Sequence, residues 1–481
     1  LSKGLNKTFI NSVFWASFSK IGYVLLALLG NMFLARFITA EEFGVIGVAM
    51  FFVGIFNVLI EGGVGGALVR KKNVTLKDYS TVFIFNLVVS LVLFGFMFFI
   101  AEPIALYYEK PILKEVLWAL SLLLVINAFV IVQNTKLIRD MNFKQKGIYQ
   151  IISLGIATII ACYLAYRGFG VWAIVSLQII SAFILMLILW FKLGSIGSFV
   201  FSKKSFKEIF SFGVFTTLSS ILNIAFDNAY QLIIGKYFSF SQVGYYYQAK
   251  KLYQAPDGVF RTVILQVFYS YLSKFQKDEE VFKEKFDLLM RFSAIVLGLM
   301  IGLIYIYAEQ IILLFYGDKW IESVFFLQLM ALAGYFILLE MVSRNIFKIS
   351  NQTHKIFYLE IFNKIVQLIS ISIGIYYINL NFLLYGLIIV SIISYVTNLY
   401  YSLDVIENVQ LNLFWDIVKI TSSAIASMFI FIQLNSYLNI GEYSKILVFP
   451  IYIGLYLLIL RLVQVLDKEL ISNLKRVISV K

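Results

Sequence analysis

The sequence is poor in the residues from which most catalytic and metal sites are built. One histidine, His354, and one cysteine, Cys162, stand among 481 residues. A lone histidine in a polar stretch excludes His-based triads, His-rich metal sites and histidine proton relays. A lone cysteine inside an apolar run excludes a disulfide within the chain. Charge is scarce too. Asp, Glu, Lys and Arg make up 14% of the residues, against roughly 25% in a soluble domain. Proline occurs four times. Pro103, Pro111 and Pro450 fall near the ends of apolar runs, whereas Pro256 falls inside one and predicts a kink.

What abounds is apolar: 61% of the residues are hydrophobic and 17% aromatic. No water-soluble fold of this length hides so much apolar surface, so lipid is the expected solvent. A helix needs about 20 apolar residues to cross a hydrocarbon core of about 30 Å. Runs of this kind lie near 9–37, 43–69, 79–101, 113–135, 147–166, 170–193, 208–236, 241–272, 286–307, 321–347, 356–378, 381–403, 413–436 and 443–466. The expected fold is an all-α integral membrane protein of about 14 transmembrane helices. The connections are short, and none is large or polar enough for a soluble domain. The first apolar run is too long for a cleavable leader and reads as a full span.

Lysine and arginine set the orientation. With a cytoplasmic N-terminus, 27 of the 40 basic residues fall in the termini and alternate loops on that side, and 7 fall on the other. Basic loops stay inside, so both termini are expected to be cytoplasmic. The same loops account for most of the net charge of +13. Nucleic-acid binding, the rival reading of a basic chain, has no support in this pattern.

The chain also repeats itself. Residues 36–44 (RFITAEEFG) resemble residues 236–244 (KYFSFSQVG). Residues 101–104 (AEPI) resemble 308–311 (AEQI), and Phe169 to Ile174 parallels Phe382 to Leu387. The order is kept, which suggests two six-helix lobes in the same orientation followed by two extra helices. The expected division is 1–200 and 201–405 for the lobes, with 406–481 for the extra helices and a cytoplasmic tail. Parallel repeats in transporters put the substrate path at the interface of the halves.

Besides the 34 basic residues counted with the termini and loops, six fall inside the apolar runs: Lys20, Lys250, Lys251, Arg261, Arg291 and Lys364. Each costs at least ~2.5–3.5 kcal/mol at a helix centre, so each is expected to face a cavity or a partner. Acids at similar depth are Glu61, Asp227, Asp257, Glu340 and Glu360. Lys250, Gln254, Asp257 and Arg261 are spaced 4, 3 and 4 and share one helical face. That stripe reads as a cavity wall, with Lys20, Lys250, Lys251, Gln254 and Arg261 as candidate substrate-binding residues. The blander reading is that Lys250, Asp257 and Arg261 pair with one another or with a neighbouring helix. Glu61, Asp227, Asp257, Glu360 and Lys364 are candidates for ion coupling or for charge pairing. Lys20 could pair with Glu61 or Asp227. Lys364 lies four residues from Glu360, the spacing of an internal ion pair. Arg291, near the cytoplasmic end of its span, reads as an interface anchor. Gly62, Gly63, Gly65 and Gly66 after Glu61 read as a close-packing surface. Asn57 and Glu61 share a face, which suits a polar contact into the cavity.

Several segments carry a family resemblance: EGGVGGALVR at 61–70, TVF at 81–83, QNTKLIRDMNFK at 133–144, GFGVWA at 168–173, FSFG at 210–213, VGYYYQAKKL at 243–252 and GDKW at 317–320. Their order and spacing over about 5–400 resemble the polysaccharide transporters, the Wzx-type flippases of the multidrug/oligosaccharidyl-lipid/polysaccharide exporter superfamily. The resemblance implies a transporter rather than an enzyme, in the bacterial cytoplasmic membrane. It implies a cavity lined mainly by the first, second, seventh and eighth spans and open alternately to each side. It implies an undecaprenyl-pyrophosphate-linked oligosaccharide as substrate, and the polysaccharide polymerase machinery as a partner beside the membrane lipids. No cofactor is implied, though an H+ or Na+ gradient can bias such a cycle. Two other classes are weighed against it. A multidrug or small-solute antiporter on the same fold would favour acidic cavities for organic cations. A membrane glycosyltransferase or polymerase would need a sizeable external loop with catalytic side chains.

Overall fold

The computed structural model describes residues 2–62, 64–194, 199–262, 267–405, 412–437 and 449–466. Every long element among them is a helix. Among the described residues, eleven helices are long and apolar enough to cross a membrane. The charged C-terminal tail, with Lys468, Lys475, Arg476 and Lys481, lies outside the described residues.

The chain divides into two compact units, 1–247 and 248–481. The first holds α1 (Ser2–Phe37), α2 (Ala40–Glu61), α3 (Val64–Arg70), α4 (Leu76–Tyr107), α5 (Pro111–Arg139), α6 (Phe143–Tyr166), α7 (Val171–Leu193), α8 (Lys203–Asp227) and α9 (Ala229–Tyr237). Helix α10 (Phe240–Thr262) begins in this unit and ends in the second. The second unit continues with α11 (Tyr269–Leu272), α12 (Glu279–Ile306), α13 (Ala308–Phe315), α14 (Ser323–Ile349), α15 (Thr353–Tyr376), α16 (Leu380–Val405), α17 (Asn412–Tyr437) and α18 (Phe449–Leu462).

Three of the fourteen expected spans fall short of the length and apolarity of a span. Helix α8 carries Lys203, Lys204, Lys207, Glu208 and Asp227. Helix α10 carries Lys250, Lys251, Asp257 and Arg261, and Pro256 lies inside it. Of the last expected span, residues 443–448 lie outside the described residues, and the described part is the 14-residue helix α18. Two expected spans are also interrupted. The second turns at Gly62, whose left-handed backbone ends α2, and the seventh breaks at Asn228 between α8 and α9.

Helix starts follow local chemistry. Thr39 and Glu42 form a capping box at α2, and Thr75 and Asp78 form one at α4, so orphan N–H groups are satisfied on the spot. Lipid tails are as apolar as leucine, so close packing rather than burial drives helices together. Small residues therefore sit where helices meet. A β-carbon on Gly44 of α2 would lie 2.0 Å from the carbonyl oxygen of Phe240, and one on Gly244 of α10 would lie 1.8 Å from that of Ala40. The two segments that read as repeats thus press on each other through the same glycine. In the second unit, α12 packs against α14 and α17. Gly298 and Gly302 of α12 receive the phenol groups of Tyr456 and Tyr452 from α18, and Gly334 of α14 receives that of Tyr253 from α10.

Candidate functional site

Within the polar stripe of α10, Asp257 and Arg261 pair with each other. Asp257 is 8% exposed, and its carboxylate accepts from Arg261 Nε at 2.5 Å and from the Tyr253 hydroxyl at 3.1 Å. Tyr253 lies in the Gly334 notch, and Arg261 Nη1 is 3.2 Å from Met341 Sδ on the same helix α14. Asp257 and Arg261 therefore hold α10 to α14 as an internal pair. Lys250 and Lys251 are half-buried and Gln254 is exposed.

Lys20, Glu61 and Asp227 are all exposed. No ion pair within 4 Å joins Lys20 or Glu61 to another residue among those described. The expected pairing of Lys20 with Glu61 or Asp227 is not what the structure has. Asn57, on the face of Glu61, accepts from Asn127 Nδ2 of α5 at 2.9 Å.

The most developed polar cluster lies in the second unit. Arg344 of α14 donates to Glu340 on its own helix at 2.6 Å and to Glu360 of α15 at 2.7 Å. Lys364 completes the chain, 3.3 Å from Glu360. From α16, Ser394 and Asn398 donate to Glu340, and Asn398 accepts from Arg344 Nε at 3.1 Å. Two acids and two bases thus neutralise one another across two helices, with neutral hydrogen-bonding groups added by a third. The expected Glu360–Lys364 pair is present. Arg344 lies three residues from the end of the expected span 321–347, where a basic residue reads as part of a loop. Its four-residue distance from Glu340 was the available signal. Arg291, expected as an anchor, pairs with Asp416 of α17 at 2.7 Å.

The motif residues of the first unit tie loops to helix ends. Arg139 donates to the carbonyls of Leu68, Lys71 and Lys72 at 2.6–2.8 Å, capping the end of α3. Lys71 bonds Asp78 at 2.9 Å and Glu208 at 3.0 Å, and the Asp78 hydrogen bond holds its amine above the usual lysine range. Gln133 reaches the Gly194 carbonyl at 2.7 Å. Glu42 accepts from the Val171 amide at 3.1 Å, and a β-carbon on Gly170 would stand 1.9 Å from the same carboxylate oxygen. Among the described residues, no group of three or more His, Cys, Asp or Glu is arranged to hold a metal ion.

Comparison with known proteins adds to this geometry. The model of a family described as "Polysaccharide biosynthesis protein" matches residues 33–325. The succinoglycan biosynthesis transport protein ExoT of Rhizobium meliloti is 27% identical over 68% of this chain and 66% of its own length. The teichuronic acid biosynthesis protein TuaB of Bacillus subtilis is 24% identical over 69% of each chain. The lipopolysaccharide biosynthesis protein WzxC of Escherichia coli is 22% identical over 69% of this chain and 68% of its own. These matches span about two thirds of each relative. Among solved structures, the lipid II flippase MurJ in an inward closed conformation aligns with a TM-score of 0.73 and 18% identity, over 92% of this chain and 97% of MurJ. An inward-facing multidrug resistance MATE transporter of the MOP superfamily aligns with a TM-score of 0.61 and 15% identity, over 80% of this chain and 94% of its own. At these identities the structural likeness establishes the fold.

Proposed function

The chain belongs to the polysaccharide biosynthesis protein family, and from that premise we propose that it is a flippase for undecaprenyl-pyrophosphate-linked oligosaccharides in a bacterial cytoplasmic membrane. Helix α10 carries the proposal. It is too polar to stand in lipid, yet it lies between apolar spans in a chain with the MurJ fold. Such a helix is best accommodated along a water-filled path. In this reading α8, α10 and α18 complete fourteen spans, both termini are cytoplasmic, and 1–200 and 201–405 rock about a central cavity.

A pyrophosphate is multiply anionic and costly to carry through hydrocarbon. Lysine and arginine attract it more strongly where water is sparse. Lys250 and Lys251, with Lys20 and Gln254, are the proposed contacts. Arg261 already has Asp257 as counter-charge, so its contribution is to position α10. The polyprenyl tail stays in lipid while the head group passes. Coupling to H+ or Na+ through Glu61, Asp227 or the Glu360–Lys364 pair would bias the cycle through differential affinity for the two states.

The test is translocation of a fluorescent undecaprenyl-pyrophosphate oligosaccharide in proteoliposomes. Wild type is expected to move it, Lys250→Ala to lose at least tenfold in rate, and Arg261→Ala to lose less. Normal transport by Lys250→Ala would remove α10 from the head-group path. Export of small organic cations with no lipid movement would replace the flippase by an antiporter.

A further inference from the structure

A second cationic group lies on the seam of α1 and α6. A β-carbon on Gly147, in the second turn of α6, would stand 2.1 Å from Ser19 Cβ and 2.3 Å from Ser19 Oγ. Only glycine permits this approach, and Ser19 is buried by it. The adjoining residues are Lys20 and Lys146, which the close approach of Ser19 and Gly147 brings to the same seam. Lys144 lies with Nζ 4.8 Å from the centre of the Trp15 ring, one turn before Ser19. Three lysines therefore lie along one seam.

Among the described residues, no acid stands within 4 Å of any of the three. The first turn of α6 holds no acid, and its N-terminal amides add partial positive charge. The exposed neighbours are apolar: Phe18 at 58%, Ile21 at 53%, Ile148 at 38% and Ile152 at 45% exposure. Like charges held together without a counter-charge attract an anion from outside. Apolar side chains on both sides suit a ligand with an acyl or prenyl chain attached to that anion.

We infer that Lys20, Lys144 and Lys146 form a binding site for the pyrophosphate head group of a membrane lipid. The site rests on the proposed transport of lipid-linked pyrophosphates, and adds to it a place where the head group is held at the membrane surface before translocation. Lysine binds phosphate as a point charge, so the site has no need of sugar recognition.

The experiment uses the purified full-length protein in detergent, titrated with undecaprenyl pyrophosphate, undecaprenol or inorganic pyrophosphate and read by native mass spectrometry. Two variants with equal charge loss are compared, Lys144→Gln/Lys146→Gln and Lys203→Gln/Lys204→Gln, each checked for an unchanged melting temperature. Wild type is expected to bind the lipid pyrophosphate at least tenfold more tightly than undecaprenol or inorganic pyrophosphate. The first variant is expected to lose at least tenfold in affinity for the lipid pyrophosphate, and the second to keep it. No binding by wild type, equal loss in both variants, or no loss in the first would overturn the site. Equal affinity for inorganic pyrophosphate would overturn the lipid assignment. Translocation in proteoliposomes is measured in parallel and separates the two proposals. Transport by wild type with unaltered binding in Lys144→Gln/Lys146→Gln sinks the site alone. Lost binding in that variant with no transport by wild type sinks the flippase reading alone.

Discussion

Arg344 is the side chain on which the second unit's polar cluster turns. It is held by two carboxylates on two helices, and its side chain is 19% exposed. Removing one partner of a buried pair typically costs about 3–5 kcal/mol, because the remaining charge stays desolvated. Arg344→Gln leaves Glu340 and Glu360 facing each other without it. The expected outcome is a clear fall in melting temperature in detergent, with part of it restored in Arg344→Gln/Glu340→Gln. An unchanged melting temperature in the single variant would mean that water already screens the cluster. The cluster also marks how far a sequence can be read. Pairs four residues apart on one helix, such as Glu360–Lys364, Asp257–Arg261 and Glu340–Arg344, are visible in the spacing. The Arg344–Glu360 and Arg291–Asp416 pairs join different helices, and nothing in linear spacing encodes which helix faces which.

At the scale of elements, glycines decide how near two helices come. Gly44 and Gly244 meet backbone rather than flexible side chains, so alanine at either must push α2 and α10 apart. Overpacking of this kind costs about 1–3 kcal/mol. Each single alanine variant is expected to lower the melting temperature. The double variant is expected to cost less than the sum, because one separation relieves both clashes. A strictly additive double would show that the two contacts yield independently. Gly66 differs. It sits in the small-residue run that reads as a packing surface, but a β-carbon there meets nothing within 4 Å. Gly66→Ala is therefore expected to be neutral or to stabilise by up to about 1 kcal/mol through helix propensity. If the variant is stable yet fails to move lipid, the open space at Gly66 is used by substrate or by motion. Composition identifies glycines as small, but only the neighbouring backbone tells which of them are pressed. Hydropathy likewise located the apolar helices and could not find the breaks at Gly62 and Asn228, which depend on backbone turns rather than on apolarity.

For the whole molecule, the open question of topology centres on α8 and α10, whose composition falls short of a span. Contacts within the first unit bear on it. The amides of Val200 and Ser202, just before α8, donate to Ser80 and Thr81 at the start of α4. Lys236, at the end of α9, donates to the carbonyl of Tyr107 and pairs with Glu109 at the other end of α4. Thr81 and Tyr107 are about 39 Å apart along the helix axis at ~1.5 Å per residue, more than the ~30 Å hydrocarbon core. A segment tied to both ends of an apolar spanning helix has to cross beside it, whatever its own hydropathy. The α9–α10 junction then lies on the same side as the α4–α5 junction, and the proposed fourteen-span reading has α10 return. Cys162 is the only native thiol, so single cysteines in a Cys162→Ser background report cleanly. With cytoplasmic termini, Glu109→Cys and Ser239→Cys are expected to react with a membrane-impermeant maleimide on intact cells. Asn73→Cys and Lys277→Cys are expected to react only after the membrane is broken. If Glu109→Cys and Ser239→Cys label on opposite sides, α8 does not cross and the fourteen-span reading fails. If all four sites exchange sides together, the spans stand and the orientation taken from the basic loops is inverted.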